Sequence, residues 1–147
     1  KLPFAKHSIV NRSAMRKNAK EKMQQYQVRA SGKSGVDTQV RLLSGGNQQK
    51  LIIARELTDS AKLIIASQPT RGLDIGATEF VRQQLINQRN AGKAVMLISA
   101  DLEEIMALSD RIAVLFGGKI VGVLSREEAT VQKIGLLMGG ISEEEEK

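Results

Sequence analysis

The sequence of 147 residues has no cysteine and no tryptophan, one histidine, one tyrosine, three phenylalanines and two prolines. Without cysteine there is no disulfide framework, no thiolate metal site and no cysteine nucleophile. His7 is the only histidine, which excludes a histidine-rich metal centre and a triad that needs a second imidazole. Four aromatics (Phe4, Tyr26, Phe80, Phe116) are few for a surface that stacks bases on rings. No apolar run approaches 18 residues, so no segment reads as a membrane span. No charged-then-apolar leader opens the chain, which begins at Lys1 rather than Met, and the simplest expectation is a cytoplasmic piece of something longer. What is present is globular in balance, 41% apolar and 26% charged, and about one domain long.

The net charge of +6 is unevenly spread: residues 1–62 carry 13 basic and 4 acidic side chains, residues 63–147 carry 9 and 12. A basic front half can face nucleic acid, anionic headgroups or phosphorylated ligands, or it can be a solvated helix face. The acidic run Glu143–Glu146 reads as a solvated tail.

The spacing predicts a helix over Arg12–Gln25 capped by Asn11, with a thin apolar stripe through Ala14, Met15, Ala19, Met23 and Tyr26. Ala30–Thr38 is loop-rich in composition, and Ser44 caps a second amphipathic run, Gln48–Leu57. The remainder alternates: a strand at Lys62–Ala66, a helix from about Ala77 to Asn90 closed by Gly92, a strand at Ala94–Ser99, and a short helix at Leu102–Leu108. Arg111–Phe116, Gly117–Gly118 and Lys119–Leu124 read as a hairpin, and Ser125 with Glu127 and Glu128 opens a last helix. Apolar strands separated by helices imply an α/β fold: a mainly parallel sheet covered on both faces, with a hairpin at one edge. The expected organisation is a helical subdomain over 1–60, an α/β core part over 61–138 and a tail over 139–147.

Leu43–Lys50 reads LSGGNQQK. A serine and two glycines open a helix directly after a loop, where backbone N–H groups lack intrahelical partners and a ligand can approach closely. Such a helix start suits phosphate, although an ordinary Ser-capped helix begins with the same letters.

LSGGNQQK followed by LIIAREL resembles the signature motif and following helix of ATP-binding cassette (ABC) transporter ATPases. The resemblance continues in order through a buried strand, Ser67-Gln68-Pro69-Thr70, Arg71-Gly72-Leu73-Asp74, the strand ending Ser99-Ala100-Asp101, and Ser109–Val121. These look like the family's Walker B strand, D-loop, switch loop and closing hairpin, and the match covers roughly Arg41–Val123. The form is most similar to the second of two fused cassettes in sugar and nucleoside importers, and SQPTRGLD leans toward the nucleoside branch. The resemblance implies a P-loop NTPase-like fold whose signature acts in trans. Ser44, Gly45 and Gly46 would contact ATP held by a partner cassette, with Asn47 and Gln48 adding polar contacts. Arg71, Gly72, Leu73 and Asp74 would lie at the dimer interface. Asp74 read alone is equally a helix-capping acid, and Arg71 a solvated loop charge. The implied cofactors are ATP and Mg²⁺ in the complete assembly. The implied partners are a second cassette, transmembrane permease subunits and, indirectly, a substrate-binding protein. The implied place is the cytoplasmic face of the membrane.

Several positions depart from the family pattern. Where the family has a Walker B aspartate and catalytic glutamate stand Ser67 and Gln68, and the switch histidine's place is taken by Ala100. A hydroxyl is a poor Mg²⁺ ligand beside a carboxylate, and a carboxamide cannot take a proton from water. The resemblance therefore implies a degenerate site with no intact catalytic residue and no metal set; read without it, Ser67 and Gln68 only close a strand. Gly32-Lys33-Ser34 is not a P-loop, because the first glycine of G-x-x-x-x-G-K-[ST] would fall on Gln27 and no strand precedes it. The family's P-loop would precede Lys1. Met96, Met106, Met138, Tyr26 and Phe80 read as core, and His7 as exposed. The competing function is a nucleic-acid- or ribosome-associated module using the basic first helix; lacking a base-reading motif, nucleic acid is not the expected partner.

Overall fold

The computed structural model describes residues 4–6, 9–30, 35–57 and 60–141. His7, the Gly32-Lys33-Ser34 stretch and the Glu143–Glu146 run lie outside them. Two compact units divide the chain: Lys1–Ile64 with Pro69–Val95, and Ile65–Gln68 with Met96–Lys147.

The first unit opens with two short antiparallel strands, β1 (Ala5–Lys6) and β2 (Ile9–Val10), which composition did not reveal. Asn11 caps α1 (Arg12–Gln25) by accepting the Ala14 N–H at 2.9 Å. This helix carries five basic residues and one acidic residue and buries none of its side chains fully. Single 3₁₀ turns at Gly35–Asp37 and Val40–Leu42 lead to α2 (Gly45–Glu56). The later helix α3 (Ile75–Asn90) starts two residues before the expected Ala77, because Asp74 takes the N-cap. The core of this unit is Tyr26, Val28, Leu43, Ile53, Ala54, Leu57 and Val81, with Phe80 packed against it. Full burial of a Leu, Ile or Val side chain contributes roughly 1.5–3 kcal/mol, so these few residues hold the weakly amphipathic helices together.

β3 (Leu63–Ser67) and β4 (Ala94–Ile98) are neighbours in a two-stranded sheet. In the first unit the Ala94 N–H donates to the Lys62 carbonyl (2.9 Å), and in the second the Gln68 N–H donates to the Ile98 carbonyl (2.7 Å). Partners whose numbers rise together on both strands define a parallel pair. The expectation of cover on both faces fails among the described residues: Leu63, Ile65, Met96 and Ile98 are exposed, while the alternate residues are half-buried. An unbroken apolar run hides the period-two alternation that separates these faces. Met96 is therefore on an outer face rather than in a core, and Met138 is also exposed.

The second unit continues with α4 (Leu102–Leu108) and the hairpin β5 (Arg111–Phe116) and β6 (Lys119–Ser125). The hairpin pairs among itself, as a sheet of its own. Gly117 and Gly118 both have positive φ, +56° and +76°, which a two-residue turn of this hand requires. A register shift between Val114 and Leu115 marks a bulge. The last helix, α5 (Val131–Met138), is capped by Thr130 rather than Ser125. Ser125 and Glu128 hydrogen-bond reciprocally, each backbone N–H to the other's side chain, but this closes only a turn. Ile112, Val114, Leu124, Ala129, Ile134 and Leu137 make this unit's core, with Met106 packed against it.

Candidate functional site

The signature segment is fixed from below and open above. Leu43 is buried in the first core, while Ser44 and Gly45 directly after it are exposed. Ser44 is in extended conformation (φ −62°, ψ 156°) and its carbonyl accepts the Gln48 N–H at 2.9 Å, so α2 begins there. The first N–H groups of a helix have no carbonyl four residues back, which leaves Gly45 and Gly46 with donors at an exposed helix start. The Gln48 side-chain amide donates to the Leu43 carbonyl at 2.9 Å, and Asn47 bonds both Ser44 Oγ and the Arg29 backbone. These two side chains are thus tied within the chain, a role that the LSGGNQQK letters alone do not disclose.

Gly46 has a second constraint. A Cβ on it would stand 2.9 Å from Ala77 Cβ and 3.5 Å from Asp74 Oδ2. The start of α2 therefore rests directly against the start of α3. Asp74 acts there as a cap, its Oδ1 accepting the Ala77 N–H at 2.8 Å. Lys50 adds a cation over the Phe80 ring, 4.7 Å from its centre, between the same two helices. Sequence reasoning missed this junction, since its partners lie some thirty residues apart. Arg71 and Gly72 are exposed, and Leu73 is half-buried against the core. The structure thus brings Ser44–Gly46 and Asp74 together in one unit and leaves Arg71 on the surface.

The positions matching the catalytic strand end form a separate cluster in the second unit. Ser67 closes β3 and is exposed. Gln68 adopts a left-handed conformation, φ +48°. Its Oε1 accepts the Ala100 N–H at 3.4 Å, so Gln68 and the Ala100 turn are in contact. Asp101 caps α4 by accepting the Glu104 N–H at 3.2 Å. Glu104 is fully buried, which its place in an acidic first helical turn, usually a solvated and dipole-favoured position, did not suggest. Ser67 and Gln68 offer neutral oxygens only. Among the described residues, no group of three or more histidine or acidic side chains is placed to hold a metal. This donor set does not suit Mg²⁺, which favours carboxylates, and no catalytic step is assigned to it. The exposed Ser44–Gly45 helix start, by contrast, suits the oxygens of a phosphate.

No family model matches the chain. Curated relatives do. Over 145 residues it is 50% identical to the guanosine import ATP-binding protein NupO of Bacillus subtilis, a match that covers 99% of this chain and 28% of that protein. The nucleoside import ATP-binding protein NupA of Lactococcus lactis is 46% identical over 95% of this chain and 27% of its own length. The chain belongs to the ABC ATPases. A dimeric structure of the cassette MJ0796 bound to ADP and Pi matches this ABC chain with a TM-score of 0.64 and 26% identity, over 82% of the chain and 51% of that cassette. The ATP-binding cassette MJ1267 of an ABC transporter shares the fold at TM-score 0.65 and 21% identity, over 91% of the chain and 50% of its own. This ABC chain thus spans about a quarter of the import proteins it matches and about half of the solved cassettes. Among its described residues no helix is long and apolar enough to cross a membrane.

Proposed function

We propose that this chain belongs to the ATP-binding subunit of an ABC importer for nucleosides or sugars, and that its signature turn completes a nucleotide site held by another cassette. The observation that carries the reading is the exposed Ser44–Gly45 start of α2 in a chain 50% identical to a guanosine importer's ATP-binding protein. ATP supplies the phosphoryl group to be transferred, with charge spread over its terminal oxygens. Toward those oxygens the chain offers the Ser44 hydroxyl and the first N–H groups of α2, preorganised donors at the positive end of a helix dipole. Gly45 lacks any neighbour within 4 Å of where a Cβ would stand, so a phosphate can reach the backbone there. Asp74, Arg71 and Gly72 then border the same interface.

The chain's own strand end is degenerate in this reading. Gln68 orients water or backbone but takes no proton, Ser67 brings no charge to a cation, and Ala100 has no polar group. The second cassette supplies the P-loop, permease subunits sit above the pair at the cytoplasmic membrane face, and a substrate-binding protein delivers the nucleoside. The test is Ser44→Arg in the assembled importer. A long cation at the helix start displaces the donors, and ATP turnover at the partner's site falls to background. Unchanged turnover overturns the trans role.

A further inference from the structure

The Ser44 hydroxyl is held by one side chain. The Asn47 Oδ1 accepts the Arg29 backbone N–H at 2.7 Å. The other end of the same carboxamide, Nδ2, donates to Ser44 Oγ at 2.9 Å. The Asn47 backbone N–H approaches the same Oγ at 3.4 Å. The direction of this relay is forced. A backbone N–H only donates, so the atom facing Arg29 is the carboxamide oxygen, and the NH₂ group faces the serine.

A hydroxyl has one hydrogen to give and two lone pairs to receive. Two N–H groups of Asn47 occupy the receiving side of Ser44 Oγ. What Ser44 still offers outward is its own O–H. Asn47 is half-buried and Ser44 is exposed, so the fixed partner lies beneath and the free hydrogen faces the open side. An anionic oxygen accepts such a hydrogen; a cation or a second donor finds no lone pair there.

We propose that Asn47 is a positioning residue that sets Ser44 as a one-way hydrogen-bond donor to a phosphate oxygen, and that it draws its own orientation from the Arg29 main chain. The inference rests on the reading that Ser44 meets ATP of another cassette. It adds that the loop at Arg29, far from the signature in sequence, decides how that serine points.

The test is a double-mutant cycle in the assembled importer, reading KM and kcat for ATP. Ser44→Ala removes the hydroxyl and lowers kcat/KM by about 10- to 100-fold, the range for one hydrogen bond to a charged group. Asn47→Leu removes both ends of the relay. Asn47→Asp keeps the acceptor for Arg29 but has no hydrogen for Ser44, so the hydroxyl turns inward to the carboxylate. This second variant retains the tie to Arg29 if the first does not assemble. Each Asn47 variant lowers kcat/KM at least several-fold when Ser44 is present, and has no further effect in the Ser44→Ala background, because its action passes through that hydroxyl. A purely structural or charge effect of residue 47 persists in both backgrounds and overturns the proposal while leaving the trans reading intact. So does an Asn47 variant without effect beside a damaging Ser44→Ala. If Ser44→Ala itself leaves ATP kinetics unchanged, the trans reading falls and this proposal with it.

Discussion

Gly45 and Gly46 are adjacent, identical in type and both at the start of α2, yet replacing them with alanine should move stability in opposite directions. At Gly45 nothing lies within 4 Å of the new methyl. Alanine is there the better helix former, by up to about 1 kcal/mol, less at a helix end. At Gly46 the new Cβ stands 2.9 Å from Ala77 Cβ, where carbon atoms prefer about 3.5–4.0 Å. Both atoms sit on helix backbones, so no side-chain rotation relieves the overlap, and α2 and α3 must separate. Overpacking of this kind costs roughly 1–3 kcal/mol. Less the propensity gain of up to about 1 kcal/mol, Gly46→Ala should destabilise by about 1 kcal/mol. Urea unfolding of the chain followed by helical circular dichroism reads this directly. With a slope of about 1–3 kcal/mol/M, the midpoint of Gly46→Ala falls by about 0.3–1 M, while that of Gly45→Ala holds or rises. Ala77→Gly in the Gly46→Ala background recovers part of the loss, a coupling of about 1 kcal/mol. Should Gly46→Ala stabilise as Gly45→Ala does, the close α2–α3 junction is wrong.

Gln27, just past the Tyr26 cap of α1, is in a left-handed conformation, φ +53°, with the Val28 N–H bonded back to the Met23 carbonyl (2.8 Å) and its own N–H to the Gln24 carbonyl (3.2 Å). That is the place where helices prefer glycine; relief of a left-handed cost of about 1–2 kcal/mol outweighs the roughly 0.5–1 kcal/mol of chain entropy that a glycine loses on folding, so Gln27→Gly should raise stability by up to about 1 kcal/mol, measured by the same unfolding midpoint. The Glu128 carboxyl is held below its ordinary value of 4.5 by hydrogen bonds from the Ser125 backbone and then the Ser125 hydroxyl. A lowered folded value means that its contribution is present above the ordinary carboxylate range and is lost as pH falls through the folded value. Glu128→Gln should flatten that acid limb of the unfolding midpoint; an unaltered pH profile would remove the Ser125–Glu128 turn from the account.

What could be read from the letters was whatever depends on neighbours in the chain. Asn11 and the Gly117–Gly118 turn carry their signals within four residues, and the helix and hairpin they bound appear where expected. Ser125 with Glu128 carries the same kind of signal and forms its local contact, yet the helix waits for Thr130, since one turn does not commit the backbone to continue. The family resemblance was legible because five short motifs occur in order. The relay from Arg29 through Asn47 to Ser44, the Gly46–Ala77 contact and the burial of Glu104 were not, because each depends on tertiary approach between distant segments. The open face of β3 and β4 was hidden for a different reason: LIIAS and AVMLI are apolar at nearly every position, and such a run carries no record of which side is covered.

In the proposed assembly the Ser44–Gly46 turn touches the terminal phosphate of ATP bound by a different cassette. The most direct measurement places a photoreactive group on the γ-phosphate of ATP, irradiates the assembled importer and maps the labelled peptide. Label is expected on residues 44–48 of this chain, and only while the partner cassette keeps an intact P-loop. Label that avoids this segment, or that reaches it when the partner's P-loop is destroyed, would contradict that assembly.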